Sequence, residues 1–520
     1  VGKLHIHWRR WILAAAVVAV VWLYAYLVLR ASWVSDDSII TLRTVDNFLH
    51  GYGLRWNVGE RVQTYTHPLW LLWLIMAGWV SKADLVKVLF VSGWLMSGTV
   101  MVILVWKFRQ RPYALLLGVT ILALSKAYID FSTSGLENPL SHLLAILFFL
   151  TALDCRGGKR LPLLFLLGGL AAVNRLDMIL LYAPFLVYEI WITGWRKVWR
   201  PALVGLFPLI AWLIFSVVYY GFPLPNTAYA KLGAGIPQMT FLRMGWQYVQ
   251  NSLLWDPITL TSVVFAGGLA CLHKDKRYRW FMLGVLLYIL LVVRDGGDFM
   301  SGRFFTTGLL LSVLVMIETL PRLTWRSALI SLGIVVLLGA GVGERSPIFQ
   351  PITKSQTPIW DGNHIADEGR FYCAYTCWQN LDNMKNFEWA KEGIAAAKSG
   401  ISPQISGFIG MWGYYAGPAI DIIDYLGLGD PLMARLPMEN NANWGHGHFP
   451  RYIPLGYVET VQLGVNTISE PCVNQAYTKL ATVTAGPILS RERWKNILYL
   501  NSPWGMQSIE SCRPAPKVNR

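Results

Sequence analysis

The chain has 520 residues, 54% of them hydrophobic and 14% charged, with 25 tryptophans and a formal net charge of +15. So few charges beside repeated long apolar runs exclude an ordinary water-soluble enzyme and make lipid the main solvent. The basic surplus is topogenic rather than a nucleic-acid footprint. Short loops at 3–10, 107–111, 156–160, 196–200, 274–279 and 322–326 carry 18 Lys and Arg against one acid, Asp275, whereas 345–520 holds 15 bases and 14 acids.

The first apolar run, 11–29, follows Lys3, Arg9 and Arg10 and has no small-residue cleavage site after it, so it reads as a retained signal anchor. Further runs fall at 68–80, 85–106, 113–128, 139–153, 161–173, 178–192, 202–219, 258–272, 280–293, 304–320 and 327–343. A helix over 68–80 reaches only ~20 Å, short of the ~30 Å hydrocarbon core, and suits the interface. Leaving it on the surface puts every basic loop in the cytoplasm, as the positive-inside rule requires. The expectation is a polytopic α-helical membrane protein of about eleven spans, the N-terminus inside and the C-terminal part outside. The domains read as 1–344, transmembrane, with a large outer loop at 30–84, and 345–520, an extracytoplasmic domain of mixed α/β with a carbohydrate-contacting surface. Runs 161–173 and 178–192 are short and flank NRLD, which predicts a hairpin with Arg175 and Asp177 on the floor of a cavity.

The outward loops are long and chemically mixed. Asp36 and Asp37 stand at the exit of the first span, where Ser35 suits an N-cap and 37–50 an amphipathic helix. The pair could serve simply as that helix's acidic start. As chemistry, one acid deprotonates a hydroxyl while the other orients it or holds a divalent cation, and their proximity raises one pKa. Arg43 lies further along the helix. Glu60 and Arg61 could pair with each other, and His67 precedes the interfacial helix. Glu137 in SGLEN, Asn226 and Lys231 in LPNTAYAKLG, and Asp298 and Arg303 in DGGDFMSGR complete the outer-surface set. DGGD lacks the spacing of a calcium hand. Arg43, Arg175, Lys231 and Arg303 are the bases expected to meet a phosphate. Glu60, His67, Glu137, Asp177, Asn226, Asp298, His448 and Arg451 are expected to line a substrate. Outside the membrane, Cys373, Cys377, Cys472 and Cys512 favour disulfides, with Cys373–Cys377 and Cys472–Cys512 the preferred of three pairings. NNANWGHGHFPRYIP, with His446 and His448, suits sugar stacking and hydroxyl hydrogen bonds.

The run DDSIITLRTVDNFLHGYGLRWNVGERVQTYTHPLW resembles the first outer loop of GT-C glycosyltransferases. STSGLENPL, LPNTAYAKLG, GGDFMSGRF, GMWGYYAGPAIDIIDYLGLGDPLMARLP, GHFPRYIPLGYVET and GPILSRERWKNILYLN extend the likeness, more narrowly, to the mycobacterial terminal β-(1→2) arabinofuranosyltransferases. The resemblance implies a GT-C fold and an arabinofuranosyltransferase of the inner (plasma) membrane. Its donor would be decaprenyl-phosphoryl-D-arabinofuranose, its acceptor the non-reducing ends of arabinogalactan or lipoarabinomannan, and Asp36 and Asp37 its catalytic acids. A monomer is expected, with no nucleic-acid partner and no required cofactor. Another polyprenyl-phosphate-sugar transferase acting on a glycan, lipid or protein, a lipid-linked sugar transporter and a non-catalytic scaffold are the competing readings.

Overall fold

The computed structural model describes residues 2–232, 235–321, 323–350, 360–439 and 444–512. Helix accounts for 69% of the chain. The only sheet among the described residues is a parallel pair, β1 (Gln404–Ser406) with β2 (Ile422–Asp424), in the register Gln404–Ile422 to Ser406–Asp424. The predicted mixed α/β character of the C-terminal part thus reduces to two short strands among helices. Residues 440–443, the first four of the predicted sugar-stacking segment, and Arg322 of the last basic loop lie outside the described residues.

The chain divides into two compact units. The first comprises 1–35, 89–208 and 241–381; the second comprises 36–88, 209–240 and 382–520. The division does not follow a boundary at 344, because 345–381 belongs to the first unit and 36–88 and 209–240 to the second.

At the centre of the first unit is the helix Thr306–Thr319, buried along almost its whole length. Pro112–Leu124, Asn138–Asp154 and Pro257–Leu272 pack around it. Each of these three has a proline in its first turn, where no intrahelical N–H partner is lost. Arg277–Arg294 runs so close to the backbone of the neighbouring helix that a Cβ at Gly284 would overlap the Leu181 carbonyl. Outward faces carry large apolar side chains in the open: Trp11, Trp22, Val204, Phe207, Ile330 and Leu337 are all exposed. Such surfaces belong in hydrocarbon.

Among the described residues, four helices are long and apolar enough to cross a membrane: Trp11–Arg30, Leu85–Phe108, Leu176–Thr193 and Trp195–Tyr219. A fifth crossing is available if Gln238–Trp255 and Pro257–Leu272, bent by 103°, form one broken span. Pro68–Ser81, Pro112–Leu124, Asn138–Asp154, Arg160–Asn174 and Trp325–Ala340 are apolar but shorter. The protein is therefore a multi-pass membrane protein by its helices. The run expected to be short at 178–192 is lengthened, because the 3₁₀ turn Leu176–Met178 continues into Ile179–Thr193. Between the apolar runs 202–219 and 258–272 lie the helices Asn226–Leu232 and Gln238–Trp255.

In the second unit, Asp36–Leu49 packs on Pro68–Ser81 and on Met411–Ala416. The helix expected over 37–50 runs from Asp36 to Leu49 and is largely enclosed: Asp36, Ser38 to Val45 and Asn47 are all buried. Around it, Trp56, Ile409, Trp412, Ile420, Ile422 and Leu428 form one apolar cluster. A second cluster joins Leu432, Met433 and Leu436 to Val473, Leu480, Ile497 and Ile509. Disulfides join Cys373 to Cys377 and Cys472 to Cys512, while Cys155 and Cys271 are free thiols.

Candidate active site

Asp36 is the first residue of the helix Asp36–Leu49, with Ser35 immediately before it. Its carboxylate is buried and reaches a segment far along the chain. Oδ1 accepts the N–H of Met411 at 2.7 Å, and Oδ2 accepts the N–H of Gly410 at 3.1 Å. Met411 opens the helix Met411–Ala416, so the acid sits on N–H groups that a helix start leaves without intrahelical partners. The approach is possible because residue 410 is glycine. A Cβ there would overlap both the carbonyl oxygen and the carboxylate of Asp36. Burial drives the Asp36 pKa up, the Met411 N–H pulls it back and the neighbouring Asp37 charge pushes it up again, leaving it at about 7. Asp37 is half-buried in the same first turn.

The other expected residues of this unit have varied placements. Arg43, expected to meet a phosphate, is fully buried and committed to the main chain. Nε donates to Trp56 O at 2.9 Å, NH2 to Ile420 O at 2.8 Å and NH1 to Gly413 O, with the guanidinium 4.6 Å above the Trp56 ring. It fastens the helix of Asp36 from behind. His67 is buried at the start of Pro68–Ser81, its Nε2 2.8 Å from Thr41 Oγ1. Glu60 does not pair with Arg61. Arg61 donates to the carbonyls of Tyr219, Val483 and Gly486. Burial, then the charges of Asp430 and Asp421, hold the Glu60 carboxyl well above the usual carboxylate range.

Asn226, expected to contact substrate, instead organises the loop 424–436. Its Nδ2 donates to the carbonyls of Gly427, Leu428 and Asp430 at 2.9, 3.3 and 3.0 Å, and its Oδ1 accepts from Arg435 at 3.0 Å. Asp424 and Asp430 close the same loop through the N–H groups of Leu426, Gly429, Leu432 and Met433. Arg451, also expected at a substrate, is buried and donates to the carbonyls of Leu426, Phe449, Leu436 and Ala230. Asn226 and Arg451 thus brace the main chain, their donors engaged inside the protein. His448 lies in a short bridge, Gly445 with His448, and its Nδ1 is 3.1 Å from His446 O. Lys231 stands beside this turn; a Cβ at Gly447 would meet its Nζ at 2.9 Å.

The first unit gathers a second set. Glu137, fully buried, lies between two arginines: Oε1 is 2.9 Å from Arg175 NH1 and 3.2 Å from Arg303 NH2. Arg175 also grips Asp177 with two parallel bonds of 3.0 and 2.6 Å, and Arg303 lies 3.5 Å from Asp298. Phe304 presents its ring to both guanidinium groups, at 4.5 and 5.6 Å. Asn138 and Asn174 fix the ends of the elements that bring these residues together, bonding to Arg303 O and Glu137 O. Five residues chosen from three separate loops therefore share one network. Sequence reading missed a neighbouring feature. Lys126 Nζ lies 2.5 Å from Asp130 and 3.1 Å from Asp367, and these line a small cavity of about 10 Å³ with Asp256 and Glu368. The i,i+4 spacing of Lys126 and Asp130 was its only local trace.

Both Asp36 oxygens already accept main-chain N–H groups, and among the described residues no three His, Cys, Asp or Glu side chains are grouped to hold a metal.

These features define a helical, multi-pass membrane protein in which a buried carboxyl with a pKa near neutrality follows the first apolar helix in sequence. No family model matches the sequence. The chain is 28% identical over 408 residues, 66% of its length, to the terminal beta-(1->2)-arabinofuranosyltransferase of Corynebacterium glutamicum. It is 30% identical over 351 residues, 55% of its length, to the protein of the same name in Mycobacterium tuberculosis. It spans about half the length of these curated relatives, 56% and 52% respectively. Among solved structures, ArnT from Cupriavidus metallidurans bound to undecaprenyl phosphate aligns over 81% of this chain and 77% of that one, with 15% identity and a TM-score of 0.42.

Proposed function

We propose that the protein is a membrane glycosyltransferase of the GT-C type. It would transfer D-arabinofuranose from decaprenyl-phosphoryl-arabinofuranose to the non-reducing ends of cell-wall arabinan, forming terminal β-(1→2) linkages on the outer face of the plasma membrane. The likeness to two curated arabinofuranosyltransferases supports the reaction class. The observation that carries it is Asp36, a buried carboxyl poised at about 7 and held by the Gly410 and Met411 amides.

A general base works best when its pKa lies near the operating pH, and Asp36 meets that condition. It takes the proton from the attacking acceptor hydroxyl as the bond to the anomeric carbon forms. The bond from that carbon to the phosphate oxygen breaks, and the electron pair leaves with the polyprenyl phosphate. The leaving group is already a phosphate and needs no protonation at neutral pH. It needs positive charge to meet the departing phosphate oxygens. The polyprenyl tail stays in lipid, so no nucleotide-binding motif is required.

The test is a transfer assay with the purified full chain, a synthetic polyprenyl-phosphoryl-arabinofuranose and an arabinoside acceptor, read by mass spectrometry. A product one pentose heavier is expected. Turnover of polyprenyl-phosphoryl hexoses with none of the arabinose donor would contradict the donor assignment.

A further inference from the structure

The last two helices of the second unit carry an apolar surface that the proposed chemistry does not use. Trp195–Tyr219 is one of the helices able to cross a membrane, and it ends in an aromatic group. Trp212 lies 5.2 Å from Phe215, and Phe215 stacks on Tyr219 at 5.2 Å and 12°. Aromatic clusters of this kind mark the headgroup level. Ile214, just over one turn before Tyr219, is 60% exposed and belongs to the lipid-facing side.

Directly at that exit, Arg493 of the helix Arg491–Leu500 is fully buried. Its NH1 donates to Val218 O at 2.9 Å and its NH2 to Tyr219 O at 3.0 Å. Asn501 Nδ2 donates to Gly221 O at 2.8 Å. These bonds cap the last carbonyls of the apolar helix and fix Arg491–Leu500 where it leaves the membrane. Away from this anchor, Leu498 is 73% exposed, with Leu489 84% and Trp504 80% exposed close by in sequence. Lys479, Arg491 and Lys495 flank them, Lys479 lying 4.0 Å over the Tyr499 ring.

We infer that Leu489, Leu498 and Trp504 form a membrane-surface anchor: the helices Arg491–Leu500 and Pro503–Glu510 lie on the bilayer beside the exit of Trp195–Tyr219, with these side chains in the headgroup–acyl boundary. The occupant of this surface is lipid. The patch is attached to the end of a span whose own exposed face is already in hydrocarbon, and it combines Trp, Leu and Lys as interfacial helices do.

The test places an environment-sensitive fluorophore at single cysteines, Leu498→Cys and Trp504→Cys, in the full chain carrying Cys155→Ser and Cys271→Ser. Lys391→Cys, on an exposed helix face of the same unit, is the control. The protein is reconstituted in phosphatidylcholine liposomes with and without bromine-labelled acyl chains. Labels at 498 and 504 should shift to the blue, lose most of their intensity to brominated lipid and resist aqueous iodide, while the label at 391 responds only to iodide. Iodide quenching of 498 and 504 equal to that of 391 would overturn the inference. So would protection from both quenchers with cross-linking of the Leu498→Cys variant to a second copy through position 498, because the patch would then be a subunit interface.

Discussion

Met411 donates its main-chain N–H to Asp36 Oδ1 at 2.7 Å, joining residues 375 positions apart in the sequence. The bond places the start of a helix from the late part of the chain against the acid that follows the first apolar helix. Position and ionisation of Asp36 therefore depend on a segment that shares no local signal with it. Gly410 is the tightest point of that contact, and Gly410→Ala would force the Met411 segment away from the carboxylate. A displacement on the order of 1 Å at a reacting group can cost about 10²-fold in rate. We expect kcat to fall by about that factor with acceptor KM nearly unchanged. Wild-type kcat in the variant would show that the contact does not position the base.

Glu137 holds Arg175 and Arg303 together in a buried network. Removing one partner of such a network leaves charge unpaired in a poor solvent, at a cost of about 3–5 kcal/mol. Glu137→Gln keeps the shape and removes the charge. It should unfold at clearly lower temperature than wild type in the same detergent, and an unchanged midpoint would place the two arginines in water.

Asn226→Ala should act on stability without touching substrate. It leaves three loop carbonyls and Arg435 without their side-chain partner. The expected loss is about 2–3 kcal/mol. A denaturation curve measures it directly, and a rise in acceptor KM with full stability would return Asn226 to the substrate site.

The proposed orientation has its own test. Arg109 lies in a basic loop expected in the cytoplasm. In a chain carrying Cys155→Ser and Cys271→Ser, Arg109→Cys should escape an impermeant thiol reagent in intact cells and react after lysis. Labelling in intact cells would reverse the orientation.

Much of this arrangement was legible in the sequence because it rests on local signals. The acid pair at the exit of 11–29, the helix beginning at Asp36 and the interfacial-length helix at Pro68 follow from hydropathy, charge and proline placement. Glu137, Asp298 and Arg303 read as charges near the outer surface and Arg175 and Asp177 as the floor of a cavity, and the five share one network. What the sequence withheld is where donors point. Arg43, Asn226 and Arg451 look like ligands in one dimension, but each also donates to a carbonyl far away in the sequence, Ile420, Asp430 and Ala230 respectively. Gly410 is one glycine among 46, and only the nearness of Asp36 distinguishes it.

The central claim, that Asp36 is the base, is tested most directly by the pH dependence of transfer. Its carboxyl lies at about 7 in the folded protein against an ordinary value of 3.8, so the basic form accumulates as pH rises through about 7. The same shift makes its contribution to folding stability greatest below the ordinary value and lost as pH climbs through the raised one. Wild-type kcat should therefore rise with pH and level off above an inflection near 7. Asp37→Asn removes a neighbouring negative charge and should move that inflection down while transfer persists. Asp36→Asn should show only background transfer at every pH with its fold intact. An Asp36→Asn enzyme with the wild-type rate and the wild-type inflection would contradict the account.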